Sequence, residues 1–156
     1  AIPWQGFFAD LENNKVQIFE DYGTGYSPEH SYYLYLSYMV EGRMRVSLPV
    51  KEGVKGIRID PAETSCMVRM LAARLNEEEL PLSEPAYLAM NGWELSKKKE
   101  ANPVFFFHTN DPNINIRLEK VEHSGNELLE VEFEIERLSE ETASVLEANL
   151  KRRRWF

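Results

Sequence analysis

Four aromatic residues stand where ring faces could meet a ligand. Tyr22 and Tyr26 lie in the turn Asp21-Tyr22-Gly23-Thr24-Gly25-Tyr26, Tyr33 lies in the aromatic run that starts at Tyr32, and Trp93 directly follows Asn91-Gly92. Sugar rings expose C–H faces that stack on aromatic side chains, while carboxylates and amides hydrogen-bond the hydroxyls. Aromatics on polar turns beside Asp, Asn or Glu are therefore candidates for a carbohydrate surface. The competing use is structural, because aromatics also fill cores and clamp turns.

Other chemistries have weaker support. Asp21, Asp60 and Asp111, with turn carbonyls, could offer hard oxygens to calcium, but their spacing does not gather the roughly 6 to 8 ligands that calcium takes. His30, His108 and His123 lack zinc-ligand spacing, and no Ser or Cys sits in a nucleophile elbow. A hydrolase would need two carboxylates at a defined separation, and no pair stands out among the 26 acidic residues. The residues thus name no catalytic group, metal or cofactor, and an independent carbohydrate-active hydrolase is the weakest alternative. Cys66 is the single cysteine, so no intrachain disulfide can form. Its apolar context suits packing, and a reducing, cytoplasmic compartment is the simpler expectation.

The elements that would position the aromatics are strands. Val16, Ile18 and Glu20 share one side of a period-two pattern and Gln17, Phe19 and Asp21 the other, as in a strand near a sheet margin. Gly23, Gly25 and Ser27-Pro28 let the chain double back. From Tyr32 to Val40 both faces are largely apolar, which predicts a central strand covered on both sides. Glu41-Gly42 then predicts a hairpin into Arg43 to Val50, with Met44, Val46 and Leu48 inward and Arg43, Arg45 and Ser47 wet. Cys66 to Leu75 fits the period of a strand or of a helix, and a strand is expected.

Further along, Ala86 to Met90 reads as a strand, and Asn91-Gly92 as a turn into Trp93-Glu94-Leu95. Val104 to Thr109 is an apolar strand, and Ile114, Ile116 and Leu118 alternate after Asn110-Asp111-Pro112-Asn113. Both Asp-Pro pairs read as turns. Leu129, Val131, Phe133 and Ile135 alternate with Glu130, Glu132, Glu134 and Glu136, a core face against a row of carboxylates. Four like charges on one face repel, so Lys or Arg is expected on a neighbouring strand. Residues 1–14, with Trp4, Phe7 and Phe8, suit an edge strand or a lid.

Ser139 is a plausible N-cap for a helix with Glu140 and Glu141 at its start and Lys151 to Arg154 at its end. Its apolar stripe is thin: Val145, Leu146 and Leu150. Roughly eight to ten short strands with almost no helix before residue 139 predict an all-β antiparallel sandwich, jelly-roll-like, with one C-terminal α-helix. Residues 1–138 are expected to form the sandwich, and 139–156 a C-terminal helix or a connector to a missing domain.

A length of 156 residues suits one domain with a real core. A net charge of -8 weighs against nucleic acid, and Lys97-Lys98-Lys99 and Lys151 to Arg154 are too short to reverse that. No apolar run approaches the ~18 residues of a membrane span. The start at Ala1 suggests a piece of a longer protein, although removal of an initiator Met would look the same.

Gln17 to Ser27, continuing to His30-Ser31, resembles an accessory region of large bacterial glycosyltransferases that build O-antigen, rhamnan and similar surface polysaccharides. That region carries a strand, an acidic residue, a Gly-x-Gly-aromatic-Ser turn and a short acidic run. Gly56-Ile57-Arg58-Ile59-Asp60-Pro61 is a second point of likeness, which extends over about residues 16–75. The resemblance implies a non-catalytic part of a glycosyltransferase, next to transferase domains of the same chain. This sequence departs from those domains in lacking a strand-end Asp-x-Asp and any alternation of strands with helices. It would bind glycan, through Tyr22, Tyr26, Tyr33 or Trp93, or it would be a scaffold, with homo-oligomerisation open.

Overall fold

The computed structural model describes residues 15–35, 43–96 and 102–153. The expectations for residues 1–14 and for Lys97 to Lys99 lie outside the described residues. Among the described residues, alternating side chains and turn residues build eleven strands: β1 (Lys15–Asp21), β2 (Ser31–Tyr35), β3 (Arg43–Val50), β4 (Gly56–Asp60), β5 (Cys66–Leu75), β6 (Glu78–Glu79), β7 (Leu88–Met90), β8 (Trp93–Glu94), β9 (Val104–Phe107), β10 (Ile114–Arg117) and β11 (Glu127–Arg137). A 3-10 turn, Pro28–His30, precedes β2, and helix α1 (Glu140–Arg153) follows β11.

The strands form two antiparallel sheets. One has the order β2-β1-β4-β10-β7; the other has the order β3-β11-β5-β9-β8, with β6 paired to β5. Their inner faces share one core, in which Ile18, Ile57, Ile59, Ile114 and Ile116 meet Met44, Val68, Phe107, Val131 and Phe133. The fold is therefore an all-β sandwich with a single C-terminal helix among the described residues. Only β1–β2, β5–β6 and β8–β9 are consecutive within a sheet; the other connections pass between layers, as most do in a jelly roll. Among the described residues no helix is long and apolar enough to cross a membrane.

β1 is near the margin as expected, one strand in from the end of the described sheet, between β2 and β4, and its polar residues Lys15 and Gln17 look out over the sheet. Several other local expectations need correction. Among the described residues β2 ends the sheet order instead of being central, and Tyr33 on it is 46% exposed. The part of the predicted central strand from Leu36 to Val40 lies outside the described residues. β3 is not the hairpin partner of β2, since it pairs with β11 in the other sheet, though its one wet face is as predicted. β7 and β8 also belong to different sheets, so Asn91-Gly92 is a corner between layers.

The row of glutamates on β11 meets the expected cations on both sides. Arg45 Nη2 is 2.7 Å from Glu130 and its Nε 3.5 Å from Glu132, Arg43 is 3.5 Å from Glu134, and Arg74 of β5 is 3.8 Å from Glu132. Exposed pairs of this kind contribute about 0–1 kcal/mol each, so they relieve repulsion rather than hold the sheet.

Ser139 caps α1 by accepting a hydrogen bond from the Thr142 amide at 3.1 Å. The helix is tied to the sandwich through Glu147, which lies 3.2 Å from His108 Nδ1 and accepts from the Trp93 indole at 3.4 Å. His108 Nε2 also meets Glu140 at 2.6 Å, and Lys151 reaches Glu147 at 3.3 Å. The bond to Glu140, then that to Glu147, raises the His108 pKa above its ordinary 6.5. Partial burial opposes ionisation of Glu147, but bonds from His108, Lys151 and Trp93 prevail and lower it from 4.5.

The signs set a pH window for this contact. A raised histidine contributes below its unfolded pKa and loses its contribution as pH rises through the folded value; a lowered carboxylate loses its contribution as pH falls. Docking of α1 should therefore be firmest between 4.5 and 6.5. The Trp93 indole N–H resonance, followed against pH, should move on the alkaline side with the His108 titration. In His108→Gln that limb should vanish; if it persists unchanged, His108 does not hold the helix.

Candidate functional site

The outer face of the five-stranded sheet carries a lateral row set by strand register. Gln17 of β1 pairs with Tyr33 of β2 on one side and with Asp60 of β4 on the other, so the three side chains share one face. This register depends on the turn after β1. One Asp21 carboxylate oxygen accepts from the Gly23 and Gly25 amides at 2.7 and 2.9 Å, and both glycines have φ near +100°, open to residues without a Cβ. The Lys55 amide bonds the Asp21 carbonyl at 2.6 Å, which fixes the turn to the loop before β4.

Around the row lies a hollow of about 400 Å³ lined by Lys15, Gln17, Tyr33, Asp60, Glu63 and Asp111, among others. Lys15 Nζ stands 4.7 Å from the Tyr33 ring centre and 3.8 Å from Glu63. Arg58 donates from Nε and Nη2 to the two oxygens of Asp60, each at 2.9 Å. Its guanidinium lies 4.0 Å over the Phe19 ring and 5.5 Å from that of Tyr26. Burial raises the Asp60 pKa, the Arg58 bonds oppose it, and the nearby Asp111 raises it further. The surface thus joins an exposed ring, an amide and several charged groups.

The four predicted aromatics separate in space and in environment. Tyr33 is the exposed one and borders the hollow. Tyr26 lies half-buried beside Arg58, its hydroxyl against Gly56, where burial pushes its phenol up to about 12. Tyr22 packs on the core and its ring lies 5.0 Å from that of His30. Trp93 belongs to the other sheet, half-buried where α1 is tied down. Tyr22 and Tyr26 share the turn, but they do not form one platform with Tyr33 and Trp93.

Other candidates have structural work. Asp21 serves the glycine turn and Asp60 binds Arg58, and no group of three or more His, Cys, Asp or Glu arranged for a metal occurs among the described residues. His123 Nδ1 bonds the Val121 carbonyl at 2.8 Å. Cys66 is fully buried, and burial pushes its thiol up to about 12, far from a reactive thiolate. A second hollow, of about 380 Å³ and lined by Met67, Arg69, Val104 and Glu136 among others, presents no aromatic ring.

Sequence reasoning missed Lys15 and Gln17 as members of the site, and weighed Asp60 and Asp111 only for calcium. The alternation Lys15, Gln17, Phe19 was the available signal. Its partners across the sheet depended on a register fixed by the turn. Compared with known families, with curated proteins and with solved structures, the chain shows no match.

Proposed function

We propose that this chain is a non-catalytic glycan-binding sandwich that reads its ligand on the outer face of the five-stranded sheet. The observation that carries the reading is Tyr33, a 46% exposed ring set in one row with Gln17 and Asp60. A ring edged by the Gln17 amide, with the exposed carboxylates of Glu63 and Asp111 in the same hollow, meets both halves of a sugar, its C–H face and its hydroxyls. The likeness of Gln17 to Ser31 and of Gly56 to Pro61 to the glycosyltransferase accessory region extends the proposal. On that basis the partners are catalytic transferase domains of the same chain, in the cytoplasm, with polysaccharide as the bound glycan.

The test is heteronuclear NMR titration of the whole chain with rhamnose- and galactose-containing polysaccharide fragments and with amino-sugar oligomers. Saturable shifts should centre on Tyr33, Gln17 and Asp60. Tyr33→Ala should keep the fold and weaken binding about tenfold, the size of a lost stacking contact. Shifts that survive Tyr33→Ala undiminished would place the ligand elsewhere and end this assignment.

A scaffold role has one observation in its favour. Val145 on α1 is 59% exposed beside half-buried Leu146, so the helix keeps an apolar residue outward. Concentration-dependent sedimentation that disappears in Val145→Glu would support that reading.

A further inference from the structure

Lys15, whose side chain is only 18% exposed, lines the hollow. Its ammonium sits over the Tyr33 ring at 4.7 Å and within 3.8 Å of the Glu63 carboxylate. An alkylammonium between an aromatic face and a carboxylate is held by the ring quadrupole and by charge together. The same place would hold the protonated amine of a ligand.

The surrounding charges point the same way. Among the described residues, Asp60, Glu63 and Asp111 line the hollow on the acidic side and Lys15 on the cationic side. Arg58 offsets Asp60, to which two bonds commit it, and leaves Glu63 and Asp111 facing the hollow. A uronic acid or a phosphorylated sugar would bring a further negative charge to this rim. A hexosamine with a free amine would bring the complementary one.

We propose that the Tyr33 hollow selects a sugar bearing a free, protonated amine, which displaces the Lys15 ammonium from the ring and takes its place beside Glu63. This rests on the glycan-binding reading and names the class of sugar for that site. The sugar ring then lies on Tyr33, with Gln17 and the exposed Asp111 lining the hollow that receives its hydroxyls. Burial is the main cause of the raised Asp60 pKa and the charge of Asp111 adds to it; a cation entering the hollow offsets that added repulsion. Lys15 acts as an internal competitor, so its removal favours the ligand.

The experiment titrates the whole chain with three tetramers of matched length: glucosamine, N-acetylglucosamine and galacturonate. The glucosamine tetramer should shift the Tyr33 and Gln17 resonances, and N-acetylation should weaken it about tenfold, in line with loss of the cation–π and carboxylate contacts. Lys15→Met should tighten glucosamine binding several-fold, and Glu63→Gln, at a side chain 77% exposed, should weaken it without disturbing the fold. Added salt should weaken binding of the amine form.

Equal affinity for the acetylated tetramer, or weaker glucosamine binding in Lys15→Met, overturns the amine assignment while leaving glycan binding at Tyr33 in place. Preference for galacturonate does the same. If neither these tetramers nor the rhamnose- and galactose-containing fragments perturb Tyr33, both the amine assignment and the glycan-binding reading fall.

Discussion

Phe133→Ala should cost about 3–5 kcal/mol, the range for truncating a fully buried phenylalanine to alanine. Phe133 is fully buried near the middle of β11, opposite Met44 of β3 and Met70 of β5. Against β5 the pairing steps from Glu132–Ala72 to Phe133–Met70, so Leu71 is the extra residue of a bulge on β5 and the ring packs where that strand bends. The bend leaves little freedom for neighbours to close the cavity, which favours the upper part of the range. Domains of this size are stable by about 5–15 kcal/mol, so the variant would retain a small margin. Urea unfolding should show a much lower midpoint at an unchanged slope. Glu134→Gln, one residue on but on the wet face, serves as the control and should change stability by less than about 0.5 kcal/mol. A Phe133→Ala loss below about 1 kcal/mol would mean that the two sheets do not share the core described.

The same strand explains why the fold class was legible. Leu129 to Glu136 alternates without exception, and a strict period of two admits one secondary structure and one buried face. Ser139 carries an equally local signal, because an N-cap acts on its own helix only. Asn91-Gly92 shows the limit. The dipeptide encodes a sharp reversal, but whether the next strand stays in the sheet or passes to the other is decided by which edge offers a partner. β7 finds β10 and β8 finds β9, more than ten residues away in sequence.

β1 shows the limit from the other direction. Glu20 points inward with Val16 and Ile18, only 3% exposed, and is accepted there because Lys51 reaches it at 3.2 Å. Phe19 points outward and is still buried, because the Arg58 guanidinium lies across it. Each violates its own strand's pattern, and each partner lies more than thirty positions away, where periodicity carries no information. The candidate site has the same origin. Tyr33, Gln17 and Asp60 belong to three strands, and only the pairing register makes them neighbours.

Gly92→Ala should be the most damaging small substitution at a turn, with an expected cost of about 1–3 kcal/mol or more for forced overpacking. A Cβ on Gly92 would stand 2.4 Å from the Phe106 carbonyl oxygen and 2.7 Å from Cδ1 of Phe107. The first obstacle is backbone and the second a fully buried ring, so neither can swing aside. Relief requires β8 to move off β9, and the Trp93–Phe106 pairing is the first to open. Trp93 would then leave Glu147, and with it one tie on α1 would weaken. The variant should unfold at lower urea and show a displaced Trp93 indole resonance, while shifts at Tyr33 on the opposite sheet stay near their original positions. That contrast separates two parts of the molecule. If Gly92→Ala leaves stability within about 0.5 kcal/mol of the parent, the corner is not packed as described. If it abolishes glycan shifts at Tyr33 while the five-stranded sheet remains folded, ligand binding depends on the α1 side, and the surface around Trp93 would replace Tyr33 as the site.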